Sequence, residues 1–461
     1  MEATNSRIFK KMGILIAIAL TAMQLVGYFF NLSIPTETKL LSFIVIPLRW
    51  IYLYRMSDVS KNLARCFLWL SWDLSMVSLP VLMFTDYSLN VFTTQTGVAF
   101  LYSPEDVSFC INAGSIALAI CFFSSVWYKN EKRPDFDYFP NFTKSQVLVI
   151  SIIVTGIILA GLTLSKFLGI GQLAQASLRL PMKLTGALTY VSQGFFCFFE
   201  IFLLDAMRKK GFSLLVPISL IFVISFYTAY VSLSKAALIV PAAVVLVYVV
   251  MVNRCSTFRV IILLFVVIFM FIASSFLSAY RDSKSTIYSR GFLHEGANYT
   301  FMMYVHRIFS EGNAFMKIHS VSDVNELRKA MTENEFSPRQ VMTYLIDKTS
   351  VNSMHNSGCT TLAASYMLGY GYMFITVVFL SIASLIIDYV LPKLNGIFAS
   401  TFFRVFIAFF FSAHLFPKLF WNIIFELKNG YSPDFIFYIL NILCCIIYLK
   451  IFCEKKTQAN P

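Results

Sequence analysis

Residues 146–164 read QVLVISIIVTGIILAGLTL, a run from Gln146 to Leu164 with no charged side chain. As a helix rising 1.5 Å per residue, such a run is roughly 28 Å long, close to the ~30 Å of bilayer hydrocarbon. The alternating pattern of an outer-membrane barrel strand is absent from it, so it predicts a membrane-spanning helix. Similar runs recur on both sides. About twelve are long enough to span, at 12–30, 38–54, 65–85, 107–127, 146–164, 184–204, 212–231, 235–252, 258–279, 362–387, 400–417 and 434–453.

Composition agrees with this reading. The 461 residues are 58% hydrophobic and only 13% charged, with a mean hydropathy of +0.71. Ordinary soluble domains carry roughly 25% charge, and this chain has too little polar surface to coat a fold in water. The expected fold class is an all-α polytopic membrane protein, built as a single transmembrane domain over 1–461. The nine cysteines are scattered, most within apolar runs, and predict neither a disulfide framework nor a CxxC metal site.

The formal net charge of +13 follows the loops rather than forming a nucleic-acid patch. Basic residues cluster in alternate connections: Arg7, Lys10 and Lys11; Arg55, Lys61 and Arg65; Lys129, Lys132, Arg133 and Lys144; Arg208, Lys209 and Lys210; Arg254 and Arg259; Lys393; Lys455 and Lys456. The intervening loops are poor in base. By the positive-inside rule both termini are cytoplasmic, and no nucleic-acid partner is expected. The first run follows basic residues but lacks a small-residue cleavage site, so it reads as a retained span.

One connection differs from the rest. Residues 280–361, before the last three spans, hold nine Lys and Arg, five glutamates and all but one of the histidines. The alternation places this loop outside, which in a bacterium with two membranes would be the periplasm. Asn298 to Ile318 has helical periodicity, with Phe301, Met302, Val305, Ile308 and Phe309 on one face and Gly312-Asn313 as its expected stop. Ser337-Pro338-Arg339-Gln340 spells a capping box with proline at the first helical position. The loop is therefore expected to be a partly helical cap on the bundle.

The loop end of the chain also carries the candidate chemistry. No P-loop, dinucleotide fingerprint, nucleophile elbow or zincin motif occurs. What remains is a set of outer-side cations: Arg179 and Lys183 flanking Pro181, Lys235 at a helix mouth, then Arg281, Arg290 and Arg307. Guanidinium groups grip phosphate in a bidentate fork and lysine adds a point charge, a set suited to a lipid-linked diphosphate. Headgroup snorkelling is the structural alternative. His294-Glu295, and Arg307 with Glu311, supply candidate bases, although Arg307 and Glu311 also fit an ordinary i,i+4 ion pair. Asp73 and Glu200 sit within apolar runs, where pairing inside the bundle is expected and a proton relay is the alternative.

This topology, together with Leu180-Pro-Met-Lys183-Leu-Thr-Gly186, Ser232-Leu-Ser-Lys235-Ala-Ala-Leu238, Tyr280-Arg281 and Ser289-Arg290-Gly291, resembles the O-antigen (Wzy-type) repeat-unit polymerases of bacteria. The resemblance implies a metal-independent, cofactor-free glycosyltransferase of the inner membrane. It would join undecaprenyl-diphosphate-linked oligosaccharides, working beside a chain-length regulator in the same bilayer. It places Arg179, Lys183, Lys235 and Arg281 on the substrate diphosphate, and His294, Glu295, Arg290 and Arg307 in the catalytic group, with His294 or Glu295 as base. Two other readings stay open. An O-antigen ligase shares the topology, but the histidine–glycine spacing associated with ligases is absent from the loop. A lipid-linked oligosaccharide flippase would favour Asp73 and Glu200.

Overall fold

The computed structural model describes residues 2–30, 33–59, 61–83, 91–93, 99–129, 136–168, 194–232, 236–252, 310–320, 324–333, 336–342, 361–394, 396–411 and 433–457, with a few isolated positions between them. The chain is helical. In order come α1 (Glu2–Phe30), α2 (Thr36–Arg55), and α3, which runs Leu63–Trp72, passes through a π turn at Asp73–Ser78 and ends as Leu79–Met83. Then follow α4 (Pro104–Ser125), α5 (Lys144–Phe167), α6 (Phe196–Lys209), α7 (Leu215–Ser232) and α8 (Ala236–Val252). The large loop contributes α9 (Ser310–Ser320), α10 (Val324–Thr332) and α11 (Pro338–Val341), and α12 (Thr361–Leu368) opens the apolar run that follows it. The chain closes with α13 (Tyr370–Leu385), α14 (Thr401–Phe410) and α15 (Pro433–Ile451).

Five described stretches are long and apolar enough to cross a membrane: Gly13–Phe30, Pro104–Ser125, Lys144–Phe167, Leu215–Ser232 and Tyr370–Lys393. Each falls on a run expected from the sequence. The run at 258–279 lies outside the described residues.

Helix α5 shows why this surface belongs in lipid. Its outward face presents Val149, Ile152, Ile153, Ile157 and Leu164, each at least half exposed, while Ser151 and Ser165 are buried. Ser151 meets its own hydrogen-bonding need by donating to the Val147 carbonyl, 2.7 Å away. A water-soluble helix keeps its outward face polar; this one is apolar outward as well as at Val147, Ile158 and Leu162 inside. Small residues set the close helix packing expected where no hydrophobic effect drives association. A Cβ added at Gly27 of α1 would lie 2.7 Å from the Val81 carbonyl carbon of α3, and one at Gly114 of α4 would lie 2.6 Å from Met76 Cβ.

Local signals fix several helix starts. Ser103 caps α4 by accepting from Asp106 N at 3.1 Å, and Asp106 returns a bond from Ser103 N at 2.8 Å. Thr143 and Gln146 do the same for α5. The capping box read at Ser337 forms as expected, with Gln340 N donating to Ser337 Oγ at 3.3 Å and Ser337 N to Gln340 Oε1 at 2.7 Å.

Two short antiparallel strand pairs supplement the helices. β1 (Val91–Thr93) pairs with β2 (Ala99–Leu101), and β3 (Phe136–Pro140) pairs with β4 (Cys453–Thr457). Contacts then sort the bundle into two ends. At one, Gly13 approaches Leu53, Cys66 donates to Met56, Arg65 meets Asp388, and β3 docks on Thr401 through Asp137. Gly13 and Cys453 thus share this terminal end. At the other, α9 packs on the start of α4 and on α12, and α10 packs on α12, forming a cap.

Two expectations are corrected. Gly312-Asn313 does not stop a helix; α9 runs through it from Ser310 to Ser320. Its backbone is held by docking, with Cys110 Sγ donating to the Gly312 carbonyl at 3.8 Å and Tyr102 donating to Asn313 Oδ1. Arg65, Arg208 and Lys209 are not loop residues. Arg65 opens α3 and is fully buried, and Arg208 and Lys209 form the last turn of α6, where the Lys209 side chain is only 1% exposed. Acidic partners offset the burial of Arg65 and Lys209: Asp388 for Arg65, and for Lys209 both Asp205 one turn earlier and Asp137 of β3.

Candidate functional site

At the cap end, α9 lies against α4 with Phe315 and Ile318 fully buried. Three polar contacts fix it besides the Cys110–Gly312 bond. His319 Nδ1 stands 2.6 Å from Asp106 Oδ1. Asn313 accepts from the Tyr102 hydroxyl. The buried Glu311 Oε1 accepts the backbone N–H groups of Leu362 and Ala363 at 3.0 and 3.2 Å. Those amides belong to the first turn of α12, where unpaired N–H groups and the helix dipole favour an anion.

The Asp106–His319 pair has a defined chemistry. Asp106 Oδ2 is already taken by Ser103 N and Ser103 Oγ, at 2.8 and 2.9 Å. These bonds hold the carboxylate in the first turn of α4, with Oδ1 turned to the imidazole. Since a carboxylate oxygen accepts, Nδ1 donates, and in the neutral ring Nε2 is then the basic nitrogen. The ring stacks on Phe109, centroids 4.3 Å apart at 19°, and the side chain is 32% exposed. The imidazole is therefore oriented, tautomerically fixed and open on one side. Arg328 of α10 adds a cation to the cap, its Nη2 beside Gly369.

Two further charged clusters lie within the bundle. Arg49 of α2 pairs with Asp73 of α3 through Nε–Oδ2 at 2.6 Å and Nη2–Oδ1 at 2.7 Å, with neither side chain exposed. Trp69 and Ser78 also donate to Asp73, and Arg49 reaches Thr21 and Gln24 of α1. The i,i+5 spacing of the π turn brings Ser78 back to Asp73. The chain of bonds continues from Gln24 to the Ser42 carbonyl and from Ser42 to Tyr28. At the terminal end, Lys209 Nζ bridges Asp205 at 2.7 Å and Asp137 at 3.0 Å, and Arg65 pairs with Asp388. Asp388 also caps α3, accepting from Ala64 N and Arg65 N at 3.1 and 2.8 Å.

Asp73 is paired within the bundle, as expected. Glu200 is buried in α6, but its Oε2 has no hydrogen-bond partner among the described residues. Arg179, Lys183, Lys235, Arg281, Arg290, His294, Glu295 and Arg307 all lie outside the described residues, as does the Arg307 end of its expected pair with Glu311. Sequence reasoning missed Asp106, His319 and Arg49 as partners. Asp106 had a local signal in Ser103-Pro104-Glu105-Asp106, but its pairing with His319 spans 213 residues of chain. Among the described residues no group of three or more His, Cys, Asp and Glu comes together to hold a metal.

Helical architecture, apolar outward faces and a polar cap at one end define the class, a helical membrane protein. No family model, curated protein or solved structure matches the chain significantly.

Proposed function

We propose that this protein is an O-antigen polymerase of the bacterial inner membrane, with both termini cytoplasmic and the cap in the periplasm. It joins undecaprenyl-diphosphate-linked oligosaccharide repeat units. The observation that carries the reading is the cap: the described helices of the polar loop lie at the end of the bundle opposite Gly13 and Cys453, and His319 of α9 pairs there with Asp106 of α4. An acceptor sugar hydroxyl attacks the anomeric carbon of the growing chain, and undecaprenyl diphosphate departs. Arg179, Lys183, Lys235 and Arg281 neutralise the diphosphate, Arg290 and Arg307 stabilise charge at the reacting centre, and the bundle accommodates the prenyl tails. A chain-length regulator in the same membrane is its expected partner.

Deletion of the gene in its native strain, followed by gel analysis of surface lipopolysaccharide, tests this. A core bearing one repeat unit with the ladder lost is the expected result. Core without any repeat unit overturns it.

A flippase is the second reading, favoured by the buried Arg49–Asp73 pair and by Glu200. Ionisable groups inside a bundle commonly mark transport paths. In that case the deletion leaves core without repeat units, and the lipid-linked intermediate accumulates on the cytoplasmic face. A ligase defect gives the same bare core with accumulation on the outer face.

A further inference from the structure

We infer that His319, positioned by Asp106, is the proton acceptor for the attacking sugar hydroxyl. The role assigned to His319 rests on the polymerase reading and moves the base from His294 or Glu295 to a different part of the loop.

The geometry favours proton transfer over simple docking for three reasons. First, Asp106 is over-committed to its orientation. Oδ2 is held by Ser103 N and Oγ, so Oδ1 has a fixed direction when it meets His319 Nδ1 at 2.6 Å. Second, Phe109 packs flat on the imidazole at 4.3 Å and blocks one face, so that the ring rotates little about its side-chain bonds. Third, α9 has docking contacts besides this pair. Phe315 stacks on Tyr366, Tyr102 binds Asn313, and Glu311 caps α12. A histidine used only as a latch has no need of a partly open ring, yet this side chain is 32% exposed.

The step balances without any co-reactant. The acceptor oxygen forms a bond to the anomeric carbon, and the bond from that carbon to the diphosphate oxygen breaks. The departing diphosphate takes the bonding pair. The hydroxyl proton passes to His319 Nε2, the Asp106 carboxylate offsets the imidazolium charge, and the proton then leaves to water.

The test uses the purified full-length chain in proteoliposomes with lipid-linked repeat units extracted from the deletion strain, reading polymer length on gels. His319→Ala should lower the polymerisation rate at least ~100-fold, the lower range for a general base. Free imidazole should restore it at least ~10-fold, because it supplies the missing nitrogen. Asp106→Asn should slow the wild type but add almost nothing in the His319→Ala background, since Asp106 acts through the imidazole. Near-normal activity in His319→Ala overturns the inference. So does a loss that imidazole leaves untouched, or an Asp106→Asn effect that persists fully without the imidazole, both of which identify a docking contact. If the wild type itself makes no polymer, the polymerase reading fails, and the base role falls with it.

Discussion

Arg49 and Asp73 form a two-point ion pair that is sealed from solvent, across two neighbouring helices and 24 residues of chain. Each charge is tolerable only because of the other. Removing one member of such a buried pair costs about 3–5 kcal/mol, whereas replacing both with apolar groups is often neutral. Asp73→Ala should therefore melt well below the wild type in detergent, and Arg49→Met with Asp73→Leu should recover most of the difference. A single mutant as stable as the wild type would show that the pair does not hold the α1–α2–α3 bundle.

Lys209 is held between Asp205 and Asp137, at 2.7 and 3.0 Å. Lys209→Met leaves buried Asp137 without its cation and Asp205 with only Arg208, 3.5 Å away, at a cost of about 3–5 kcal/mol. Because Asp137 belongs to β3, the strain passes to the β3–β4 pairing. Trypsin should then cut after Lys455 and Lys456 faster than in the wild type, measured by release of a C-terminal tag. Equal cleavage rates would detach the ion pair from the strand pairing.

Glu311 satisfies two orphan amides at the start of α12. Glu311→Ala leaves those N–H groups without this acceptor, a loss of about 1–3 kcal/mol. Hydrogen exchange at Leu362 and Ala363 should accelerate, with Glu311→Gln falling between the two because an amide oxygen still accepts. Unchanged protection in Glu311→Ala contradicts the capping role.

Gly27 and Gly156 make a matched comparison. A Cβ at Gly27 would strike the Val81 backbone of α3, while one at Gly156 meets nothing within 4 Å. Gly27→Ala should cost about 1–3 kcal/mol through forced separation of the helices, and Gly156→Ala should be neutral or slightly stabilising. Thermal melts of the two variants decide it, and equal effects would refute close α1–α3 packing.

Features encoded over one or two helical turns were legible in the sequence. Run length and hydropathy located the described spans, and Ser337-Pro338-Arg339-Gln340 announced its own capping box, because a cap depends on three neighbouring residues. Asp73 was expected to find a partner, since a lone charge in an apolar run is too costly, but nothing nearby identified Arg49. Arg65 and Lys209 read as loop charges for a like reason: Asp388 and Asp137 are brought to them by distant segments, although Lys209 also has Asp205 one turn away. Gly312-Asn313 read as a stop because local propensity opposes helix there, and docking on α4 overrides it.

The sequence by itself therefore determined that the chain is helical, apolar along many spans and polar in one large loop, since those properties follow from chemistry repeated every few residues. Only the tertiary structure decided which charges neutralise one another and which histidine is oriented by a carboxylate. Such pairings depend on different segments meeting, 24 residues apart for Arg49 and Asp73 and 213 for His319 and Asp106, and short-range periodicity carries no record of them.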